Sequence, residues 1–226
     1  MSVCAIAKKF HKTDWQIMPI PRSLALQIVI EKHYLHREAP CELSFGLFKT
    51  GFCSIFMTRK DIQGVVIYGT PSSAPLRAGI CGDSEKDNVI ELTRLWVSDA
   101  VPKNGESFLV GNTLPLVSKQ IIVSFADTAQ QHVGYIYQAT NFFYTGLSAK
   151  RTDWKVEGID THSQTLADKY SAEKIRALYG ERFYLEERSR KHRYVFFNCS
   201  RKRKKQLLSK LNYPIKPYPK MANGGV

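Results

Sequence analysis

Two side chains suited to acid–base chemistry follow one strongly apolar segment. The β-branched and aromatic run at 121–125 predicts a strand that stops at Asp127, and open sheets bind ligands beyond such strand ends. A carboxylate there accepts a proton from an amine or orients a tyrosine; its alternative role is to cap the next helix. Tyr137 follows ten residues later. Its phenol suits proton donation to a leaving group or stacking on a base, against the alternative of core packing.

More polar and aromatic side chains lie beside Tyr137. Residues four apart share one face of a helix, so Asn141 is expected next to Tyr137 at a substrate site. Tyr144 is a further candidate for substrate contact, whereas Tyr135 is expected to pack. The segment therefore predicts one ligand site with a carboxylate and several rings.

Arg94 is a charged residue inside the predicted strand 89–97. A guanidinium among apolar neighbours needs a partner or a ligand, because its desolvation is costly. Its planar fork suits an anionic donor or the carbonyl of an acyl group. A structural ion pair with Glu91 or Asp127 is the alternative. Leu92, in the same strand, is expected to line the donor site.

A second cluster lies in the string HYLHR at the end of a predicted helix. His33, His36 and Arg37 offer acid–base chemistry and a phosphate-binding fork, and Tyr34 offers a catalytic phenol or a stacking ring. His33 and His36 also have the spacing of metal ligands, with Cys41 nearby. No second paired ligand motif accompanies them, so a metal site is not expected. Capping of the helix dipole by His33 is the alternative.

A third cluster opens the next predicted helix. Lys103, Asn104 and Ser107, with a glycine between them, expose backbone amides that suit a phosphate or the sugar-phosphate end of a donor. An ordinary helix cap by Asn104 is the alternative.

The charge of the chain points to a polyanionic partner. The net charge is +13 over 226 residues, which favours nucleic acid over the alternative of an acidic membrane surface. A basic stretch near the C-terminus is expected to contact phosphate, although a solvated face or a localisation signal has the same composition. Its candidate residues are Arg190, Lys191, Arg193, Arg201, Lys202, Arg203 and Lys204.

The surrounding pattern predicts an α+β or α/β core over 1–150 and a basic extension over 151–226 packed on it. Pro115 is expected to kink its helix or to delay its start, with Leu116 facing the core. The predicted order is a helix at 22–34, a meander at 43–69, a loop at 78–88, a strand at 89–97, a helix at 107–120, a strand at 121–126, a helix at 131–139 and a strand at 142–147, followed by a helix at 172–179, a strand at 194–197 and a basic helix.

Compartment is indicated by what the sequence lacks. It has neither a run of about 18 apolar residues nor the apolar core of a signal peptide, so no membrane association is expected. Its five cysteines show no CxxC spacing and are expected to be free thiols. A cytoplasmic protein is predicted; no pattern indicates an oligomeric state.

Several strings together resemble the Mom DNA-modification family of Mu-like phages: HYLHR, ELTRLWV, PKNGES, SFAD, GYIYQATNFFYTG and the terminal PYPK. The element order resembles the GNAT acyltransferase fold, a mixed, mostly antiparallel sheet flanked by helices. The resemblance implies an enzyme that converts adenine in duplex DNA to N6-carbamoylmethyladenine and so protects phage DNA from host restriction in the bacterial cytoplasm. The usual GNAT pyrophosphate loop is absent, and PKNGES stands in its place, which disfavours the usual coenzyme A site.

The product implied by the resemblance predicts the donor. Adenine in a duplex must be flipped into a pocket before its amine can react. The added atoms are those of one glycine residue, so a glycyl thioester or, better, glycyl-tRNA is expected as acyl donor. Acetyl-CoA with a separate nitrogen source, with or without iron, is the alternative donor. Two other functions stay open: a non-enzymatic DNA- or RNA-binding protein, and a GNAT enzyme that acetylates a protein or small molecule.

Overall fold

The computed structural model describes residues 9–52, 57–71, 73–161 and 163–220. Its strands are β1 (Trp15–Pro19), β2 (Leu43–Lys49), β3 (Gly64–Gly69), β4 (Val89–Val97), β5 (Ile121–Asp127), β6 (Phe143–Leu147), β7 (Arg151–Val156), β8 (Phe183–Arg188) and β9 (Lys191–Phe197). Its helices are α1 (Arg22–Lys32), α2 (Ala74–Cys81), α3 (Gly105–Thr113), α4 (Tyr135–Ala139), α5 (Ser163–Lys169), α6 (Ala172–Tyr179) and α7 (Arg201–Ser209).

Seven strands form one sheet in the order β1-β2-β3-β4-β5-β9-β6. Every neighbouring pair is antiparallel except β4 and β5, which are parallel. Helices cover both faces: Val66 packs with Leu109 of α3, whereas its neighbour Val65 packs with Val29 of α1. Helices α2 and α7 pack on the α1 side, where Ile80 and Leu207 share a cluster with β5. The expected mixed, mostly antiparallel sheet flanked by helices is confirmed.

The parallel pair β4 and β5 opens after a short stretch. Only residues 89–91 pair with 121–123, while β4 stays paired with β3 and β5 stays paired with β9. Across the opening, the Ser124 hydroxyl donates to the Leu92 carbonyl oxygen at 3.0 Å, which satisfies one backbone acceptor at the gap. The divergence leaves a cleft between two strands that are each held from their outer sides.

A one-residue insertion in β4 places the side chains of Leu92 and Arg94, which are two residues apart, on opposite faces of the sheet. Ile67 of β3 lies opposite Arg94, and Tyr68 lies opposite Leu92, so Thr93 is an extra residue in β4. Because alternate side chains of a strand point to opposite faces, the insertion places Leu92 on the α3 face and Arg94 on the α1 face.

The C-terminal segment enters the main sheet. Strand β9 lies between β5 and β6, so the sheet continues across the expected boundary at residue 150. Strands β7 and β8 form a separate two-stranded ribbon. It packs with α5 and α6 around a small hydrophobic cluster that includes Val156, Leu166 and Ile175. The segment that follows residue 150 therefore contributes a strand to the main sheet.

Three predicted elements need correction. The expected loop at 78–88 is helical, as α2 followed by a 3-10 turn at Asp83–Asn88; a serine cap and a proline in the first turn of α2 start the helix. Helix α3 ends at Thr113 because Pro115 has no amide hydrogen to donate, and Leu116 is exposed rather than buried. Helix α4 begins only at Tyr135, after the left-handed Gly134.

The remaining predicted strands and helices lie within a few residues of their expected positions, apart from the part of the meander at 53–56, which lies outside the described residues.

Cysteine state and helix length follow the sequence pattern. Cys41, Cys81 and Cys199 are free thiols, while Cys4 and Cys53 lie outside the described residues. Within the described ranges, no helix has the length and apolar character that a bilayer crossing requires.

A buried carboxylate fastens α7 to the body of the protein. Glu85 accepts from Arg203 Nη2 at 2.6 Å and from Lys210 Nζ at 2.7 Å, and these hydrogen bonds lower its pKa. Substitution Glu85→Gln should reduce the free energy of unfolding by about 2 kcal/mol at pH 7, because two charge-assisted hydrogen bonds are weakened. The difference from the unsubstituted protein should shrink as pH falls through the depressed pKa. Denaturant titrations at a series of pH values from 7 to below the depressed pKa of Glu85 measure both effects.

The matched control is Asp83→Asn, which removes an exposed ion pair with Lys86 in the same turn. It should change stability by less than about 0.5 kcal/mol. Equal losses for both variants would contradict the anchoring role of Glu85.

Candidate active site

A cavity of about 320 Å³ occupies the opening between β4 and β5; it is called the small cavity below. Tyr34, Arg94, Asp127 and Tyr137, the four expected catalytic residues, all line it. They come from the segment after α1, from β4, from the end of β5 and from α4. Two more expected residues, His33 and Leu92, also line this cavity.

Arg94 is oriented by the backbone. Its Nη1 donates to the Thr93 carbonyl oxygen at 2.7 Å and its Nη2 to the Glu38 carbonyl oxygen at 3.0 Å. Its Nε is buried and has no hydrogen-bond partner among the described residues. Burial and the nearby Arg37 lower the pKa of Arg94, although a guanidinium stays charged at neutral pH. Among the described residues Arg94 has no ion pair within 4.0 Å, although the charge of Glu91 raises the pKa of Arg94 and so partly opposes the effect of burial.

Tyr137 is linked to the gap between the strands. Its hydroxyl is hydrogen-bonded to Ser124, the same side chain that donates to Leu92. Its ring packs against Phe142 and Tyr194. Burial raises the pKa of Tyr137 to about 12, so the phenol is protonated at neutral pH and can donate. The core-packing alternative and the catalytic hypothesis are both compatible with this position.

Asp127 has structural partners on both sides. One oxygen accepts from the Ala129 amide at 3.0 Å and from the Ser189 hydroxyl at 2.8 Å, and the other lies 3.8 Å from Lys191 Nζ. The capping alternative is therefore confirmed, while the same carboxylate also lines the small cavity.

A ring cluster closes the outer side of the small cavity. His33 stacks on Tyr34 with ring centroids 4.4 Å apart, and Tyr34 meets His132 edge-on at 5.9 Å. Burial, followed by the charge of Arg94, lowers the pKa of His33 to about 4, so this ring is neutral at pH 7. His33 is the C-cap residue of α1, where its amide donates to the Val29 carbonyl oxygen, but its neutral ring adds no charge to the helix dipole. Tyr135, expected to pack, is 56% exposed and lines the cavity.

The histidines do not form part of a metal cluster. His33 is buried and its Nδ1 accepts from the Leu35 amide at 3.2 Å, while His36 is exposed, left-handed at φ 45° and contacts the Ile30 carbonyl oxygen. Across the described ranges, no group of three or more histidine, cysteine and acidic side chains has the arrangement of a metal site. Arg37 is exposed at the same loop.

Glu91 is a functional candidate that sequence reasoning treated only as a possible ion-pair partner. It lies at the point where β4 and β5 cease to pair, and burial raises its pKa to about 7 against the opposing effects of Lys191 and Arg94. A carboxylate with a pKa near neutrality is suited to accept a proton. Its place as a charged residue directly after the apolar Val89 and Ile90 is visible in the sequence. Its raised pKa is not, because that depends on the segments that bury it.

A second cavity, of about 790 Å³, lies beside the first and is called the large cavity below. It shares Glu91, Phe125 and Lys191 with the small cavity. Tyr144, an expected substrate contact, lines it and bonds through its hydroxyl to His192 Nδ1 at 2.9 Å. Arg190 also lines it.

The expected donor loop and Asn141 lie elsewhere. Lys103, Asn104 and Ser107 line neither cavity, and Asn104 makes no side-chain cap of α3. The Ser107 hydroxyl donates to the Asn104 carbonyl oxygen at 3.1 Å. Asn141 is exposed beyond the end of α4, so the expectation that it shares a helical face with Tyr137 is wrong.

The basic candidates divide into internal and exposed groups. Arg193 is buried, donates to Thr145 and stacks 3.3 Å from the ring centroid of Tyr213, while Arg203 is paired with Glu85. These two guanidinium groups are engaged inside the protein, which corrects their expected contact with phosphate. Arg201 and Lys202 are exposed at the start of α7. Lys204 lies over the ring of Phe143.

Acetyltransferases are among the solved structures that resemble this chain. The chain resembles Arabidopsis thaliana NAA60 in complex with acetyl-CoA at 12% identity and a TM-score of 0.48, covering 81% of this chain and 99% of the other. It also resembles an N-acetyltransferase of Staphylococcus aureus at 11% identity and a TM-score of 0.45, covering 82% and 99%.

Sequence comparison defines the family. The chain is 27% identical over 207 residues to the methylcarbamoylase mom of Escherichia phage Mu, covering 87% of this chain and 80% of the phage protein. Residues 14–220 match the Mom protein family, and the chain belongs to that family.

The raised pKa of Glu91 predicts a pH-dependent stability. Burial favours the neutral carboxyl, so this contribution is present below the unfolded pKa near 4.5 and is lost as pH rises through about 7. Substitution Glu91→Gln should therefore raise the free energy of unfolding relative to the unsubstituted protein by roughly 1 to 3 kcal/mol more at pH 8 than at pH 5. Denaturant titrations at both pH values measure this difference. A constant difference would show that Glu91 is not held neutral by burial.

Proposed function

We propose that this chain is a DNA-modifying transferase that converts adenine to N6-carbamoylmethyladenine by transfer of a glycyl group. The observation that carries the proposal is the convergence of Tyr34, Arg94, Asp127 and Tyr137, from four separate segments, on one small cavity edged by Glu91. Membership of the Mom family and the name of the phage Mu relative, a methylcarbamoylase, support a transferase, and the resemblance to the family implies adenine in DNA as the substrate. The product would protect phage DNA from restriction in the host cytoplasm.

The small cavity suits a single base that has left its duplex. Its volume of about 320 Å³ lies at the lower end of small-ligand sites. The rings of Tyr34 and His132 at its outer side offer stacking surfaces, which compensate for part of the cost of unstacking.

Each polar group then has a role in acyl transfer. Arg94 donates to the acyl carbonyl oxygen, where negative charge develops, through the Nη hydrogens that its two carbonyl partners do not use. Glu91 accepts the proton that the attacking amine loses, and its pKa of about 7 matches that task. Tyr137, held neutral by burial, donates a proton to the leaving oxygen, and Asp127 keeps Lys191 in position at the cavity edge.

The proposed reaction requires neither an oxidant nor a reductant. The N6 amine attacks the glycyl ester carbonyl, a C–N bond forms, and the ester C–O bond breaks. Tyr137 protonates the departing oxygen, and the proton that Glu91 took from the amine then returns to Tyr137. The glycyl amine then attacks C6 through a five-membered ring. Cleavage of the original C6–N6 bond opens that ring and leaves a terminal amide. An acetyl group cannot follow this route because it lacks the second nitrogen, which favours a glycyl donor, in particular glycyl-tRNA, over acetyl-CoA.

DNA and tRNA are both polyanions, and the charge of +13 supports contact with them. Arg201 and Lys202, at the start of α7, are exposed and suit phosphate contacts outside the cavities, as do His36 and Arg37 in the α1–β2 loop.

Expression of the chain in bacteria should produce a new adenine adduct in nuclease-digested DNA, measured by mass spectrometry. Substitution Arg94→Ala should lower adduct formation at least about 100-fold, because a donor to the developing oxyanion is removed. The control Arg59→Ala removes only an exposed pair with Glu31 and should leave the adduct level unchanged. Unmodified DNA with intact DNA binding would instead support a non-enzymatic binding protein.

The rate of modification by the purified chain should rise about tenfold per pH unit up to pH 7 and level off above it, because Glu91 accepts a proton only when it is ionised. Substitution Glu91→Gln should remove this ascending limb and lower the plateau. Initial rates measured between pH 5.5 and pH 8.5 test the assignment. An unchanged limb in the variant would exclude Glu91 as the proton acceptor.

A further inference from the structure

The large cavity has a strongly basic wall built from three separate segments. Arg151 comes from the β7-β8 ribbon, Arg190 and Lys191 from the start of β9, and Lys216 from the C-terminal tail, whereas Glu91 is the one carboxylate of its lining within the described residues. Arg190 is fixed through Nε, which donates to the Ser148 carbonyl oxygen at 2.7 Å. No acidic side chain of the described ranges lies within 4.0 Å of Arg190 or Lys216. Their charges are therefore available to an anion.

Aromatic rings accompany these cations. Phe125, Tyr144 and Tyr213 line the large cavity, and Phe125 also lines the small one. Arg193, which also lines the large cavity, stacks on one face of Tyr213. Cations interleaved with rings are the recognition chemistry of unpaired nucleotides, in which phosphates meet the charges and bases stack on the rings.

The tail that carries Lys216 is a fixed part of this wall. Its amide donates to the Tyr144 carbonyl oxygen at 2.9 Å, and the Tyr218 hydroxyl donates to the Phe142 carbonyl oxygen at 2.8 Å. The tail thereby covers the free edge of β6. Its hydrogen bonds hold Lys216 over the cavity.

Size and position restrict the ligand. A volume of about 790 Å³ is within the range of small-ligand sites and admits one or a few nucleotides but not a duplex. The shared residues Glu91, Phe125 and Lys191 set a ligand of the large cavity directly beside the proton acceptor of the small one. The start of α3, where the sequence predicted donor binding, lines neither cavity.

We propose that the large cavity binds the unpaired 3′ end of an RNA that carries the acyl group, so that donor and adenine approach Glu91 from the two cavities. The assignment rests on the proposed glycyl transfer, because it is the ester at the 3′ end that must reach the small cavity. Arg190 and Lys216 contact the phosphates, and Phe125 stacks on the terminal base.

The direct probe is a short labelled RNA hairpin with an unpaired 3′-CCA end that carries glycine as a stable 3′ amide. Fluorescence anisotropy with the full chain should show binding that weakens at least about tenfold when the overhang is deleted, because stacking and phosphate contacts are both lost. Lys216→Ala should weaken binding and lower the slope of log affinity against log salt by about 0.7, the value for one single-strand phosphate contact.

Lys150→Ala is the matched control, since Lys150 is an exposed lysine beside the ribbon that does not line the large cavity. It should leave the overhang-dependent part of the affinity unchanged. Equal binding of blunt and overhanging RNA, or an equal effect of both lysine variants, would overturn the assignment. Displacement of the probe by free coenzyme A at equal concentration would also overturn it.

The outcome is separable from that of the proposed function. Overhang-dependent RNA binding without any DNA adduct would contradict the transfer reaction and leave the RNA site standing. An adduct formed with glycyl-tRNA by a chain whose Lys216→Ala variant binds the probe normally would support the reaction and refute this site.

Discussion

The early separation of β4 from β5 is the constraint on which the rest of the molecule depends. Three residue pairs hold the two parallel strands together, and beyond them each strand relies on its outer neighbour for backbone hydrogen bonds. A gap in a sheet is costly unless its polar groups are satisfied, and Ser124 supplies a hydrogen bond at its apex. Glu91 lies at that apex, and its environment is a direct consequence of the separation.

The insertion of β9 makes this geometry possible. Strand β9 pairs with the full length of β5, so β5 does not need β4 to remain in the sheet. It also begins with Lys191, which reaches both cavities and lies 3.8 Å from Asp127. A segment that looks like an appendage in sequence thus contributes a strand and part of the site.

Features formed by residues close together in the chain can be predicted from the sequence, whereas features assembled from distant segments cannot. Arg94, Asp127 and Tyr137 were predicted because a charge inside a strand and polar groups after a strand are visible in the chain itself. Glu91 was treated only as a possible ion-pair partner because its raised pKa depends on burial by distant segments. The large cavity was missed because its walls come from α2, from β6, from residues around 190 and from the tail, which no local pattern connects. The donor loop was placed at the start of α3 by a local pattern that the fold does not bring to either cavity.

The central claim is that one glycyl unit is transferred whole to a flipped adenine and then rearranges. The most direct test combines the purified chain, duplex DNA and tRNA charged with ¹⁵N-glycine, followed by fragmentation of the modified nucleoside in a mass spectrometer. If the glycyl unit rearranges as proposed, the ¹⁵N atom is bound to C6 of the purine and the original N6 atom has become the terminal amide. Label in the terminal amide would contradict the rearrangement, and an adduct without label would contradict the glycyl donor.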